Sequence, residues 1–155
     1  MIVSCALAMV FSLLAPPGAS ATQRQVQVRS ASMHVMPFSL DTSIHMFEPT
    51  AQGGVMTVVT HKNDPQQIAL IRSHLRKEAL AFARGDYGDP AAIHGTSMPG
   101  LAQLRAGFAD VAVRYAADVD GAQISFVTTS PALVAALHRW FAAQVSDHGH
   151  DAMLM

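Results

Sequence analysis

The stretch Val55–Phe82, VMTVVTHKNDPQQIALIRSHLRKEALAF, decides the fold. From Val55 to His61, β-branched residues dominate and side chains alternate, which is typical of a strand. Asp64 then predicts a helix N-cap and Pro65 suits the first helical position, so a helix is expected as far as Gly85. Its apolar stripe follows helical spacing and consists of Ile68, Ile71, Leu75, Ala79 and Phe82.

The same order of signals occurs again further along the chain. Asp110 to Ala116 alternates like a strand, Asp120-Gly121 is typical of a turn, and Ile124 to Thr129 predicts the returning strand. Ser130-Pro131 then caps and opens a second long helix. The apolar stripe of that helix consists of Val134, Leu137, Phe141 and Val145.

These two series of signals predict an α+β two-layer sandwich. In the first half, the segment from His34 to Phe47 reads as short extended stretches, and Gly53-Gly54 is typical of a hairpin turn. The expected architecture is a ββα-ββα pseudo-repeat, with an antiparallel sheet and two long helices on one of its faces. The connection from Asp86 to Pro99 is long enough to carry function, and Pro99 opens a short helix.

Both ends of the chain are predicted to lie outside this domain. Residues 1–21 resemble a signal peptide, because an apolar run from Ile2 to Ala15 precedes the small residues Ala19-Ser20-Ala21. Residues 22–32 are polar and are expected to form a mobile arm. The single domain is expected to span residues 33–147, followed by a flexible His/Met tail over 148–155.

Composition limits the classes of partner. The net charge of −1 provides no basic stripe for nucleic acid and no polybasic cluster for an anionic membrane. The apolar run at the start is too short for a bilayer span, so no stable membrane insertion is expected after cleavage. The one cysteine, Cys5, lies within the predicted signal peptide, so the mature protein forms no disulfide. We expect a periplasmic or secreted location.

Histidine and methionine supply the chemistry of this chain. It contains eight histidines and nine methionines, and only Met1 and Met9 precede the predicted cleavage point. Several groupings pair an imidazole with a thioether, among them Met33-His34-Val35-Met36 and His94-Gly-Thr-Ser-Met98. Imidazole suits copper, zinc, iron and nickel, and the soft thioether selects copper(I). Copper handling or sensing is therefore the leading hypothesis.

The candidate ligands follow from their positions in the predicted elements. His138 falls on the apolar stripe of the second helix, where a buried imidazole needs a hydrogen-bond acceptor or a metal. Alternate residues of an extended segment share a face, so His34 and Met36 are expected on the same side of the chain. The loop before Pro99 allows His94 and Met98 to approach the same point. The predicted metal ligands are His34, Met36, His45, His94, Met98 and His138.

Other interpretations remain open at this stage. Each candidate also suits an ordinary role, either in the core or as a locally hydrogen-bonded histidine. His74 is interpreted as a boundary residue of the first helix, and His148 and His150 as weak, adventitious binders in a tail. A module that binds haem, another small ligand or a protein is the alternative, although covalent haem attachment is excluded because no C-x-x-C-H motif occurs. No catalytic motif occurs, so an enzyme is less expected.

The motifs of the chain resemble those of a group of small exported bacterial proteins. The shared stretches are Met36-Pro37-Phe38, Thr42 to Phe47, Ile93 to Leu101 and His138 to Gly149. Members of this group often carry the name aspartate carbamoyltransferase, which would imply carbamoyl transfer. That enzyme is a cytosolic protein with a much longer chain and a phosphate-binding S-T-R-T motif, and the motif has no counterpart here. The resemblance therefore implies export but no particular activity.

Overall fold

The computed structural model describes residues 17–155, with side chains from Gln23 onward. Most of the predicted signal peptide, residues 1–16, lies outside this part. The described chain has an α+β fold, as predicted. In chain order its elements are α1 (Pro17–Val35), β1 (Ser43–Thr50), β2 (Gly53–Thr60), α2 (Pro65–Phe82), α3 (Gly88–His94), α4 (Leu101–Ala106), β3 (Ala112–Ala117), β4 (Gly121–Val127), α5 (Pro131–His148) and β5 (Ala152–Leu154).

The five strands form one mixed sheet in the order β3-β4-β2-β1-β5. Antiparallel pairing joins β3 to β4, β4 to β2 and β2 to β1, with Met56 opposite Phe47 on one side and Ile124 on the other. β5 pairs with β1 in parallel. The predicted wholly antiparallel sheet is therefore wrong at this edge, because a strand of three residues is too short to produce a pattern in the sequence.

Both long helices begin where the sequence predicts. Asp64 caps α2 by accepting hydrogen bonds from the backbone N–H groups of Gln66 and Gln67, and Pro65 follows it. Ser130 accepts from the backbone N–H of Leu133 at the start of α5. Each cap satisfies donors that the first helical turn leaves without partners.

Aromatic packing joins the helices to the sheet. Phe126 of β4 contacts both Phe82 of α2 and Phe141 of α5, and Trp140 contacts all three rings. These four side chains are at most 2% exposed. Gly54 of β2 lets α5 approach closely, because a Cβ atom there would lie 2.4 Å from the ring of Phe141. The core therefore lies between β2, β4 and the two long helices.

The predicted mobile arm over residues 22–32 is corrected by the structure, which places it within α1. Polar contacts hold much of this helix: Arg24 pairs with Asp147, and Arg29 pairs with Asp41 and Asp151. Val28 is its one fully enclosed apolar side chain among the described residues. The sequence carries no apolar stripe here, which is why the helix was not predicted.

The predicted flexible tail over residues 148–155 is also corrected. His148 is the buried last residue of α5, Gly149–Asp151 form a turn of 3-10 helix, and β5 follows. The backbone N–H of Met155 donates to the carbonyl of Phe47 at 2.8 Å. Pairing with the edge of β1 thus orders the last residues of the chain, which the sequence alone predicted to be flexible. None of the described helices is both long enough and apolar enough to cross a membrane.

Candidate metal centre

A small cavity lies where α2 and α3 meet the sheet. Its volume is about 40 Å³. Because one buried water needs roughly 10–15 Å³, there is room for an ion with one or two waters. The side chains of its wall that carry polar atoms or sulfur are His45, His74, Glu78, Asp89, His94, Gln144, Met36 and Met56.

Helical spacing places two of these donors on one face. His74 and Glu78 are four residues apart on α2, so their side chains lie one above the other. Glu78 continues the buried stripe that contains Leu75 and Phe82, and it is itself only 5% exposed. Asp89, in the first turn of α3, supplies the third donor from the facing helix.

These three residues form a group that can hold a metal ion. One donor atom each from His74, Glu78 and Asp89 lies within 4.8 Å of the other two. Donors on one zinc ion lie about 3–3.5 Å apart, given bond lengths of about 2.0–2.2 Å. Small side-chain rotations would therefore bring all three onto one ion. We call this group the mouth site.

Lys77 and a proton on Glu78 offset the negative charges of the two carboxylates at the mouth site. Burial and a hydrogen bond with Asp89 raise the pKa of Glu78 to about 7. Oε1 of Glu78 is shielded from solvent and accepts no hydrogen bond, and Lys77 Nζ lies 3.6 Å from it. Lys77 Nζ donates to Asp89 at 2.7 Å. Although burial opposes it, hydrogen bonds from Lys77 and Glu78 keep the pKa of Asp89 below its ordinary value.

His74 presents a neutral imidazole to this site. Burial, together with the positive charge of Lys77, lowers its pKa to about 4, despite the opposing effect of Asp89. The ring packs edge-on against Phe38 at 5.7 Å between centroids. At neutral pH the ring therefore keeps a lone pair that a metal ion can use, since imidazole binds metals in its unprotonated form.

A second group of imidazoles lies beyond Phe38, which also contacts His45. His148 stacks on His45 with 5.3 Å between centroids and meets His94 edge-on at 4.9 Å. Each of the three is at most 5% exposed. Nδ1 of His45 and Nε2 of both His94 and His148 are buried without hydrogen-bond partners. We call these three residues the inner histidine cluster.

The three histidines of this cluster lie at the ends of two helices and on one strand. His45 belongs to β1, where it faces the core between the buried residues Ser43 and Phe47. His94 ends α3 and His148 ends α5, and each is followed by a glycine with positive φ, 86° at Gly95 and 60° at Gly149. Glycine adopts such angles without steric cost, so both helices stop with a histidine at their last turn.

The structure brings together some of the predicted ligands and separates others. Met36, His45 and His94 line the cavity, whereas His34 is exposed and its Nδ1 lies 2.8 Å from the carbonyl of Ser30. His34 is separated because its segment is helical, where we expected an extended strand.

The other two predicted ligands have different surroundings. His138 is half-buried and its Nε2–H donates to the carbonyls of Thr50 and Gly53, at 3.0 and 2.9 Å. Met98 is buried in the hydrophobic core, although it also lines a shallow groove with His94. His138 therefore has the backbone acceptors that its position on the apolar stripe requires.

Sequence reasoning missed four residues. His74 was interpreted as a boundary residue and His148 as part of a tail, and Glu78 and Asp89 were not considered. The available signal was Glu78, a carboxylate on the apolar stripe of α2, four residues after a histidine. A buried carboxylate requires a partner. Asp89 offered no such signal, because only the packing of α3 on α2 brings it there.

Neither a family model, nor a curated protein, nor a solved structure matches this chain.

Proposed function

We propose that this chain is an exported metal-binding protein that holds one divalent first-row transition metal ion at the mouth site. The supporting observation is that donor atoms of His74, Glu78 and Asp89, from two facing helices, lie within 4.8 Å of one another. Export rests on the signal-like residues 1–21.

The donor set favours a particular class of ion. Imidazole suits zinc, copper, iron and nickel, whereas magnesium and calcium prefer oxygen donors alone. Two carboxylates offset the charge of a divalent ion. Three protein donors leave further coordination positions for water or an exchanging ligand, which favours metal handling over a closed structural site.

The metal-free arrangement makes loading dependent on pH. Because the pKa of Glu78 is raised to about 7, about half of its carboxyl groups hold a proton near pH 7. An ion must displace that proton and the ammonium of Lys77, whose side chain is 65% exposed and free to swing into solvent. Metal affinity therefore increases as pH rises through about 7, because the competing proton is lost.

The size of the cavity argues against larger ligands. Drug-sized ligands occupy pockets of about 300–1,000 Å³, whereas this cavity offers about 40 Å³. Haem, the alternative drawn from composition, would enter this cavity only if the helices separated. A bare ion fits without such rearrangement.

Zinc titration tests the proposal. Isothermal calorimetry of the metal-free protein at pH 7.5 is expected to give one zinc per chain. Glu78→Gln and Asp89→Asn should each weaken that binding by about 10- to 100-fold, since each removes a charged donor at nearly constant volume.

Matched controls are His61→Ala and Glu48→Gln, which change an exposed histidine and an exposed carboxylate away from the cavity. Both should bind zinc as the unmodified protein does. Equal affinity in Glu78→Gln and the unmodified protein would contradict the mouth site.

A further inference from the structure

Each of the three imidazoles in the inner histidine cluster has one buried ring nitrogen without a hydrogen-bond partner. A buried nitrogen without a hydrogen bond destabilises the folded protein, and here three such atoms belong to rings in mutual contact. After rotation of the rings toward one point, one bound cation would coordinate all three nitrogens.

Hydrogen bonds on the opposite side of two rings orient these lone pairs. Nδ1–H of His94 donates to Asp147 at 2.8 Å, so its Nε2 carries the lone pair. An N–H of His45 donates to the backbone carbonyl of Asp151, which leaves Nδ1 as the lone pair. Histidines that bind metals commonly donate their other N–H to a carboxylate or a carbonyl in this way.

A salt bridge holds the orienting carboxylate in place. Arg24 donates to both oxygens of Asp147, at 3.0 and 2.5 Å, and also to the backbone carbonyl of His94 at 2.7 Å. The carboxylate is therefore neutralised by Arg24 and adds no net charge to the cluster.

We propose that the inner histidine cluster, His45, His94 and His148, is a second metal site, specific for a monovalent soft cation, copper(I). The donors are neutral imidazoles and the neighbouring charges cancel, so a single positive charge is much less costly to bury than a double one. Imidazole is a good ligand for copper, and no thiol competes within residues 17–155. The proposal does not depend on occupancy of the mouth site.

Room for binding comes from the neighbouring cavity. His45 and His94 form part of its wall, so their rings can rotate toward a shared ion. Such rotation is required because the rings of His45 and His148 are nearly parallel, at 6°.

Competition with a chromogenic copper(I) chelator tests this site, under ascorbate and without oxygen. The unmodified protein should take up one copper(I) per chain. His148→Phe should lower the copper(I) affinity by about tenfold or more, because even residues that only support metal ligands cost about 10- to 100-fold when they are replaced. The matched control is His150→Phe, because His150 is the neighbouring histidine and is 92% exposed. Zinc affinity at the mouth site should be the same in both variants, which also shows that His148→Phe is folded.

Two further measurements separate the outcomes. X-ray absorption of the copper-loaded protein should show nitrogen neighbours only, and a copper–sulfur distance would overturn the all-imidazole site in favour of Met36. If His148→Phe does not fold, silver(I), a redox-inert monovalent probe, is added to the unmodified protein and the imidazole nitrogens are followed by NMR. Shifts at His45, His94 and His148 support the site, whereas shifts confined to other histidines refute it.

Discussion

At the scale of single residues, burial of neutral histidines makes this protein sensitive to acid. His45 is 5% exposed, and its burial is the main reason why its pKa is lowered from 6.5 to about 4. Between these values the unfolded chain binds the proton and the folded chain does not. The contribution of neutral His45 to stability is therefore complete above pH 6.5 and is lost as pH falls toward 4.

The corresponding prediction concerns His45→Phe. In the metal-free protein, the free energy of unfolding should fall between pH 6.5 and 4, with about 3 kcal/mol of that loss due to His45 alone. Because phenylalanine does not titrate, the variant should lose stability less steeply over this range. Urea titrations at several pH values measure the slope.

His61→Gln is the control, since this exposed histidine should leave the slope unchanged. A slope in His45→Phe as steep as that of the unmodified protein would show that His45 is not the residue responsible. Some slope should persist in any case, because His74, His94 and His148 also have lowered pKa values.

At the scale of elements, the capped starts of the long helices were predictable because they depend on neighbours in sequence. Asp64 accepts from Gln66 N at 3.0 Å and from Gln67 N at 3.2 Å. Such contacts span two or three residues and need no tertiary partner. The strands β1 and β5, by contrast, pair across more than 100 positions, and no local pattern reports that pairing.

Removal of the α2 cap should therefore have a defined cost. Asp64→Ala is expected to lower the free energy of unfolding by about 1 kcal/mol, because two backbone N–H groups lose their acceptor. The neighbouring variant Asn63→Ala, at an exposed position, should change stability by less than about 0.5 kcal/mol. Chemical denaturation compares the two, and equal losses would argue against a capping role for Asp64.

At the scale of the whole molecule, the first helix closes against the end of the chain. α1 contacts α3 and α5, and its arginines pair with Asp147 and Asp151. Because half-exposed ion pairs contribute modestly and are screened by salt, we expect α1 to open before the sheet does. The same pairs orient His94, so opening of α1 would also release the carboxylate that fixes its tautomer.

Hydrogen exchange tests this order of opening. In Arg24→Met, amides of α1 should exchange up to about fivefold faster, equivalent to a loss of about 1 kcal/mol or less, while β2 and β4 remain protected. Higher salt should act in the same direction on the unmodified protein. Arg105→Met, a change to an exposed arginine of α4, is the control. Equal exchange rates of the α1 amides in Arg24→Met and Arg105→Met would contradict a dominant role for Arg24.

The sequence by itself determined the α+β class, the two long helices and the main strands. Each depends on periodicity or on a capping residue within a few positions, as at Asp64 and Ser130. Metal binding was a hypothesis from composition, which shows imidazoles and thioethers but not whether they share a site. Among the residues that the sequence singled out as ligands, His45, His94 and Met36 line the same cavity.

Only the tertiary structure decided which donors share a site. Asp89 approaches Glu78 through helix packing, and His148 approaches His45 because the chain after α5 returns along β1. α1 was also hidden, since it is held by charge pairs rather than by an apolar stripe. Contacts between distant segments leave no periodic trace in a single sequence, whereas caps and stripes arise from neighbours along the chain.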